Sequence, residues 1–379
     1  MAIAANLPTI GGLIVMRLSY LLSRYIGRQF LISIGLVFML IMGVAFLIDA
    51  VNLGDRAASR EGAGLIVVIE MALLRVPYIA QKVLPFAVLF GTMLTYLWLT
   101  RTNELVVSRA AGVSVWQFLL PSLSIALCLG IFVVTVFNPL SSAFISRFEQ
   151  MEAQYLRGQS SLLTVSGSGL WLRDGDGDEQ MVIHAERVSQ SGTELDDVII
   201  FLYEDVDRFA ERIDAKTATL HDGYWELDDA LVTSPEMTAA FAKTYRIDTE
   251  LTVGRIQDSF APPDTMSFWD LPEFIQSLEK AGFSGLRHRI HWHSILSIPL
   301  LLSAMVLVAA SFSLRLTRRG RLGIFILAGL MTGFLLYFTS DVSLALGMSG
   351  SLPAILSAWA PATIFALIGT ALLFHLEDG

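Results

Sequence analysis

A short group of charged residues interrupts a long apolar region of this chain: Arg101, Glu104 and Arg109. Residues 83–100 before the group and 110–146 after it contain no charged residue. The pattern predicts a hairpin of two membrane helices joined by a charged elbow, Arg101–Ser114. The positive-inside rule places such an elbow in the cytoplasm, where a soluble partner can bind it.

Two interpretations of Glu104 remain open from the residues alone. In the first, Glu104 is a solvated charge of the elbow. In the second, the elbow is an amphipathic coupling helix that fits a groove of a soluble motor, and Glu104 pairs with a basic residue of that motor. Arg101 and Arg109 belong to the same candidate coupling site.

Arg75 and Lys82 are a second candidate site, because they lie seven residues apart and therefore on one face of a helix. Both fall near the predicted outer end of the second membrane span. They could extend to the lipid head groups. They could equally bind the phosphates of an anionic lipid in a cavity between subunits. Arg56 and Arg60 are weaker candidates for the same role.

Neither candidate metal site has a convincing ligand pattern. The histidines His288, His291 and His293 are spaced so that at most two share a helical face, which favours interfacial histidines beside Trp292 over a metal centre. The run Asp174–Glu179 is similar to the start of a calcium loop, but it lacks the glycine at its sixth position, and Ala185 stands where a bidentate glutamate is needed. We expect a solvated hairpin turn there.

Familiar catalytic motifs are absent from the sequence. It contains no G-x-x-x-x-G-K-[ST], no G-x-S-x-G and no H-E-x-x-H, so we expect a non-catalytic chain without a bound cofactor, and any ATP and magnesium must be used by another subunit. Cys128 is the one cysteine, so no internal disulfide can form. Its apolar surroundings predict a buried small side chain.

The composition divides the chain into apolar and acidic regions. Apolar residues make up 54% of the 379 residues, and the mean hydropathy is +0.60. Residues 147–290 contain 27 acidic and 13 basic residues, a net charge of −14, whereas the remainder carries +5. An acidic domain is therefore inserted into a membrane protein, and the balance argues against nucleic acid as a partner.

Six charge-poor runs predict six membrane spans: 29–48, 65–100, 113–137, 290–314, 322–340 and 353–376. The second is predicted to be about 50 Å long, with kinks at Pro77 and Pro85. The basic run 315–321 and the elbow lie on one side if both termini are cytoplasmic. Residues 17–28 predict a basic helix on the inner surface. No cleaved signal is expected, and Met16 is a hypothetical translation start.

The polar region predicts β-structure. Alternating segments such as MVIHAERV and DVIIFLYE indicate strands, and Asp222-Gly223 indicates a hairpin. We expect a twisted antiparallel sandwich or jelly roll, followed by an amphipathic helix that opens at Ser267 and Asp270. The predicted organisation is an N-terminal membrane half (1–146, with the interfacial helix and three spans), a periplasmic β-jellyroll-like domain (147–289) and a C-terminal membrane half (290–379).

Several stretches together resemble the LptF/LptG permease family of the lipopolysaccharide exporter, and its LptG members more than its LptF members. The matching stretches are SRYIGR (23–28), the Pro77 and Pro85 pair, NELVVSRAAGVS (103–114), SLLTVSGSGLWLRDG (161–175) and HWHSILSIPLLLSAMVLVAASFSLR (291–315). The likeness extends over nearly the whole chain from Met16. The order and spacing of these stretches identify the family more specifically than any single stretch does.

The resemblance implies six spans, a periplasmic jellyroll that passes acyl chains through its interior, and an inner-membrane location in a Gram-negative bacterium. It implies pairing with an LptF-type permease, two LptB ATPase subunits, and LptC with the LptA bridge. The family's elbow glutamate corresponds to Glu104, which implies coupling to LptB. Asp49 stands where some relatives carry lysine, and Tyr78 stands where some carry a basic residue, with Lys82 one turn further on.

The sequence therefore predicts a permease subunit of an ABC exporter that extracts lipopolysaccharide and passes it to a periplasmic bridge. ATP-driven closure of the motor would push on the elbow and collapse the cavity between subunits. One alternative is a membrane-anchored periplasmic scaffold or sensor without transport activity. Another is an intramembrane enzyme that acts on lipids, which would need acidic, His or Ser groups that converge inside the spans.

Overall fold

The long helices form over the charge-poor stretches, and the strands form over the alternating ones. The computed structural model describes residues 10–58, 64–110, 112–152, 155, 163–166, 169–174, 179–188, 194–204, 208–221, 223–235, 237–249, 262–280, 284–315 and 322–377. The chain divides into two units. The membrane unit takes its described residues from 1–59, 64–141 and 293–379, and the sheet unit takes its described residues from 142–292.

The described α-helices are α1 (Ile10–Ala58), α2 (Leu65–Arg101), α3 (Glu104–Ala110), α4 (Val115–Phe132), α5 (Asn138–Glu152), α6 (Leu271–Lys280), α7 (Leu286–Arg315), α8 (Leu322–Met348) and α9 (Ala354–Glu377). A π-helical turn, Val133–Phe137, joins α4 to α5. Among the described residues, six helical stretches are long and apolar enough to cross a membrane. Three precede the sheet and three follow it, so the predicted 3 + 3 arrangement is confirmed.

Two spans extend further than predicted. The separate helix expected over 17–28 does not form, because α1 continues through these residues into the first span. Ile26, Phe30 and Ile34 are all buried and lie four residues apart, so one packing stripe continues along the helix. The third span continues from Val115 to Glu152 through the π-helical turn, well beyond the predicted end at residue 137.

Small residues allow close helix contacts in the membrane unit. A Cβ atom on Gly130 of α4 would lie 2.4 Å from the Cα atom of Pro299 in α7. Similarly, a Cβ atom on Gly91 would lie 2.8 Å from the Cα atom of Ile34. Backbones approach this closely only where no side chain intervenes. Helix α7 therefore packs directly against α4, and α2 packs directly against α1.

Cys128 is exposed, so the prediction of a buried cysteine is wrong. The buried side of α4 contains Ser122, Ala126 and Gly130, which are spaced by four residues. Cys128 lies between these positions on the other side of the helix, as does the exposed Leu127. In a membrane protein the outer face of a helix contacts acyl chains, and an apolar sequence context does not distinguish that face from the core.

The described strands form one antiparallel sheet in which chain order is also strand order. They are β1 (Leu163–Ser166), β2 (Gly169–Asp174), β3 (Glu179–Val188), β4 (Glu194–Glu204), β5 (Arg208–His221), β6 (Tyr224–Ser234) and β7 (Met237–Asp248). The predicted fold class, membrane helices with an inserted all-β domain, is confirmed. Gly223 has a φ of 87° between β5 and β6, which confirms the predicted hairpin. Residues 175–178, where a solvated turn is predicted, lie outside the described residues.

A row of charged residues crosses the sheet from β3 to β7, and we call it the crease: Glu186, Asp197, Lys216, Asp229 and Lys243. On both sides of this row the neighbouring strands keep the same pairing register, so each of these residues lies opposite the next one across the sheet. Asp197 and Asp229 have φ angles of 52° and 53°.

The crease changes the alternation of side chains along the strands. The core residues next to it are three apart rather than two: Leu195 and Val198, Ala215 and Ala218, Leu227 and Ala230. Both halves of these strands therefore direct their apolar residues into the same core. Helix α6 contributes Leu278 to this core, and Phe274 packs against it. As predicted, Ser267 and Asp270 precede α6, and the Ser267 hydroxyl donates to Asp270 Oδ2 at 2.5 Å.

Candidate functional site

The elbow is a tight turn followed by a short helix. Helix α2 ends at Arg101, and Asn103 takes a left-handed φ of 60°, which asparagine tolerates better than most residues. Helix α3 follows and ends before Gly112, which has a φ of 85°. Ser114 then begins α4 with a capping box: its hydroxyl accepts from the Gln117 amide at 3.2 Å, and the Gln117 side chain accepts from the Ser114 amide.

Helix α3 is anchored by a single buried side chain, Leu105. It joins a group of buried residues that we call the elbow cluster: Ile26, Tyr96, Leu99, Leu105, Val115, Phe118, Leu119, Ala310 and Leu373. These residues come from α1, α2, α3, α4, α7 and α9. The next two residues of α3, Val106 and Val107, are exposed. The elbow therefore presents apolar surface outward while being packed against most of the membrane helices.

Glu104 is partly exposed at the start of α3, and Arg101 and Arg109 are exposed at either side of it. Its Oε1 atom accepts a hydrogen bond from the Tyr25 hydroxyl of α1 at 3.2 Å. Sequence reasoning missed Tyr25, because the two residues are 79 positions apart. The stretch SRYIGR (23–28) contains Tyr25 and matches the family, but nothing in it indicates a contact with Glu104.

The candidate phosphate-binding cations have different surroundings. Arg75 forms an ion pair with Asp49 of α1, and both side chains are largely buried. Lys82 is exposed, and its ammonium lies 4.3 Å from the centre of the Tyr78 ring. Arg56 is exposed near the end of α1, and Arg60 lies outside the described residues. Of the described candidates, Lys82 and Arg56 therefore present exposed side chains, whereas the charge of Arg75 is balanced within the membrane unit.

The three histidines lie in the first turns of α7. His288 is buried against the Phe274 ring, with the ring centres 5.0 Å apart. His291 Nδ1 lies 3.6 Å from Asp264 Oδ1, and Trp292 stacks on Phe268 at 5.8 Å. Within the described ranges, no group of three His, Cys, Asp or Glu side chains could hold a metal ion. These side chains connect α6 and the segment before it to α7.

The described helices and sheet define a multi-pass membrane protein with an inserted antiparallel β unit. A family model described as "Lipopolysaccharide export system permease LptF/LptG" matches residues 24–375. The chain therefore belongs to the LptF/LptG family of permeases.

Two curated proteins illustrate the similarity. The lipopolysaccharide export system permease protein LptG of Escherichia coli (strain K12) is 26% identical over 364 residues, which cover 93% of this chain and 98% of that protein. The protein of the same name from Haemophilus influenzae is 24% identical over 366 residues, which cover 94% of this chain and 99% of that protein. The predicted resemblance to this family, and to its LptG members, is confirmed.

Proposed function

We propose that this chain is the non-catalytic, LptG-type permease subunit of an ABC exporter that extracts lipopolysaccharide from the inner membrane. The observation that carries the proposal is the family match over residues 24–375. This range contains five of the six candidate spans of the described chain completely and the first span from Arg24 onward. The relatives named LptG are permease proteins of a lipopolysaccharide export system. The inserted sheet unit would then lie in the periplasm, with both chain termini in the cytoplasm.

The elbow is the proposed contact with the motor. Exposed Val106 and Val107 lie next to Glu104, so α3 offers both an apolar surface and a carboxylate to a groove in a partner. Arg101 and Arg109 add charged contacts at the two ends. A partner that pushes on α3 also pushes on Leu105 and hence on the elbow cluster, which contains side chains from most of the membrane helices.

The proposed partners are an LptF-type permease, two copies of the LptB ATPase, LptC and the LptA bridge. ATP and magnesium would be bound by the ATPase, since this chain carries no phosphate-binding motif. The lipid would pass toward the bridge along the apolar interior of the sheet unit. The core residues that line this interior, such as Ile183, Ile200 and Trp225, are fully buried, so acyl chains could enter only after part of the core opens.

Lys82 and Arg56 are the proposed first contacts for the phosphates of the lipid. Both are exposed, and an ammonium or guanidinium forms strong charge-assisted hydrogen bonds with phosphate. We propose that Arg75 has a lesser part, because a phosphate must compete with Asp49 for its guanidinium. Arg60 belongs to the same proposed group by sequence.

The test is to purify the tagged chain in mild detergent, identify the proteins and lipids that co-elute, and measure lipid export by the wild type and by Glu104→Ala. We expect a P-loop ATPase and a second permease to co-elute. Export should fall by about tenfold in Glu104→Ala, the size expected for loss of one charged contact, with insertion intact. Glu70→Ala is the matched control, because Glu70 is an exposed glutamate of the membrane unit that lies outside the elbow. Absence of any co-eluting ATPase, with normal export in Glu104→Ala, would favour the scaffold alternative.

A further inference from the structure

The stretch Tyr25-Ile26-Gly27 of α1 makes three different contacts with the helices that surround the elbow. The Tyr25 hydroxyl donates to Glu104 Oε1 of α3. Ile26 is fully buried in the elbow cluster together with Leu105. A Cβ atom on Gly27 would lie 3.1 Å from Ile125 Cδ1, so α1 and α4 are in close contact at this position. The beginning of the first span is therefore held against α3 and α4 at consecutive residues.

The Tyr25 ring is also held by α2. Its centre lies 6.5 Å from that of Trp98, within the range of an aromatic pair. Trp98 lies in the last turn of α2, just before the elbow. The side chain therefore bridges α2 and α3 from the side of α1: the ring, which is 40% exposed, lies beside Trp98, and the hydroxyl reaches the Glu104 carboxylate.

We propose that Tyr25 is a positioning residue of the coupling site: its hydroxyl orients the Glu104 carboxylate and transmits displacement of the elbow to the first span. The inference rests on the proposed role of the elbow as the contact with the ATPase. An ionised carboxylate has about four acceptor positions on two oxygens, so it can accept from Tyr25 and from a basic residue of a partner at once. Tyr25 fixes the orientation of the carboxylate before the partner arrives.

The first span is suited to respond to such a displacement. It is the least buried of the six candidate spans of the described chain, whereas α2 and α7 are the most buried. Large apolar residues such as Met39 and Leu40 are exposed along one side of it, while Ile34 packs closely against Gly91 of α2. The structure connects it to α3 in two ways: Ile26 and Leu105 belong to the same apolar elbow cluster, and the Tyr25 hydroxyl donates to Glu104. Removing the Tyr25 hydroxyl breaks only the second, polar connection.

The experiment compares Tyr25→Phe, Glu104→Gln and the double variant with the wild type, each assembled with its partner subunits in proteoliposomes that contain lipopolysaccharide. ATP hydrolysis and the lipid released per ATP are measured together. Tyr20→Phe is the matched control, because Tyr20 lies on the same helix and is 68% exposed. We expect Tyr25→Phe to retain assembly and ATP hydrolysis and to release about fivefold less lipid per ATP, in keeping with the loss of one hydrogen bond of ordinary strength. Tyr20→Phe should match the wild type.

The double variant separates positioning from a purely structural role. If Tyr25 acts through Glu104, Tyr25→Phe causes no further loss in the Glu104→Gln background. The inference is overturned, and the proposed function stands, if Glu104→Gln lowers the release per ATP while Tyr25→Phe behaves like the wild type. Equal and independent losses in the two backgrounds also overturn it. If Glu104→Gln has no effect, both the coupling role of the elbow and the role of Tyr25 are wrong.

Discussion

The membrane unit and the sheet unit differ in where they place their apolar residues. In the membrane unit, large side chains such as Met39 and Leu367 are 72% and 69% exposed, while Tyr96 and Ser122 share a buried hydrogen bond of 2.8 Å. In the sheet unit, Trp225 and Ile213 are fully buried, and the charged residues of the crease are exposed. Both units therefore have a buried apolar core, but the membrane unit also exposes large apolar side chains along its helices.

The difference shows which forces hold each unit together. In lipid, the surroundings of a helix are as apolar as its side chains, so helices associate through close contact at small residues and through hydrogen bonds. Gly91 and Gly130 are such contacts. The sheet unit loses apolar surface to water when it unfolds, so its stability depends on filling the core. We expect the sheet unit to be destabilised by loss of side-chain volume in its core, and the membrane unit by added volume at its small residues.

The largest expected effect is the loss of stability of the sheet unit when a large core side chain is removed. Trp225 is fully buried between β5 and β7. We expect Trp225→Ala to lower the free energy of unfolding of the sheet unit by about 3–5 kcal/mol, through lost burial and the cavity left behind. Hydrogen exchange of residues 163–248 in the full chain measures this. Trp269→Ala, at a position 60% exposed, should change the same quantity little; an equal loss would show that the core does not dominate.

Adding a single methyl group should affect the membrane unit. At Gly130 the new Cβ atom would collide with the Pro299 backbone, which cannot rotate away as a side chain can. We expect Gly130→Ala to destabilise the membrane unit by about 1–3 kcal/mol. Thermal unfolding in detergent measures the effect. Gly35→Ala is the matched control, because nothing lies within 4 Å of its Cβ position. If both variants unfold at the wild-type temperature, close backbone contact is not what holds α4 to α7.

Local sequence patterns predicted the elements but not the contacts between them. The charge-free run 83–100 was enough to place a span, and Asp222-Gly223 was enough to place a hairpin, because both signals are local. The pairs Tyr25–Glu104 and Asp49–Arg75 join residues 79 and 26 positions apart, and no periodicity reports such distances. They depend on how α1 lies against α2 and α3.

The sequence contains a pattern that could have predicted the crease. Leu195-Asp196-Asp197 and Leu227-Asp228-Asp229 repeat the same three residues within neighbouring parts of the sheet. Two consecutive charged residues inside a strand break the expected alternation, and aspartate is one of the few residues that accept a left-handed φ. The buried cysteine was predicted wrongly for a different reason. In a membrane helix both the lipid face and the core are apolar, so sequence alone leaves the two indistinguishable.

We expect the smallest losses of stability from breaking ion pairs, and one pair in each unit can be compared. Arg75 and Asp49 join α1 to α2 with side chains only 26% and 13% exposed, whereas Arg212 and Asp214 lie on one strand with side chains 45% and 35% exposed. We expect Arg75→Ala to cost about 1–2 kcal/mol, near the upper end measured for polar contacts in membranes, because Asp49 is left without this partner. Arg212→Ala should cost less than about 1 kcal/mol, since water solvates the remaining carboxylate.

Thermal unfolding in detergent, with each unit followed by hydrogen exchange, measures the two losses separately. The double variant Asp49→Asn with Arg75→Gln should recover part of the loss, because no charge then remains buried. If Arg75→Ala costs as little as Arg212→Ala, the ion pair with Asp49 adds little to the stability of the membrane unit. Arg75 would then be as available to a lipid phosphate as Lys82.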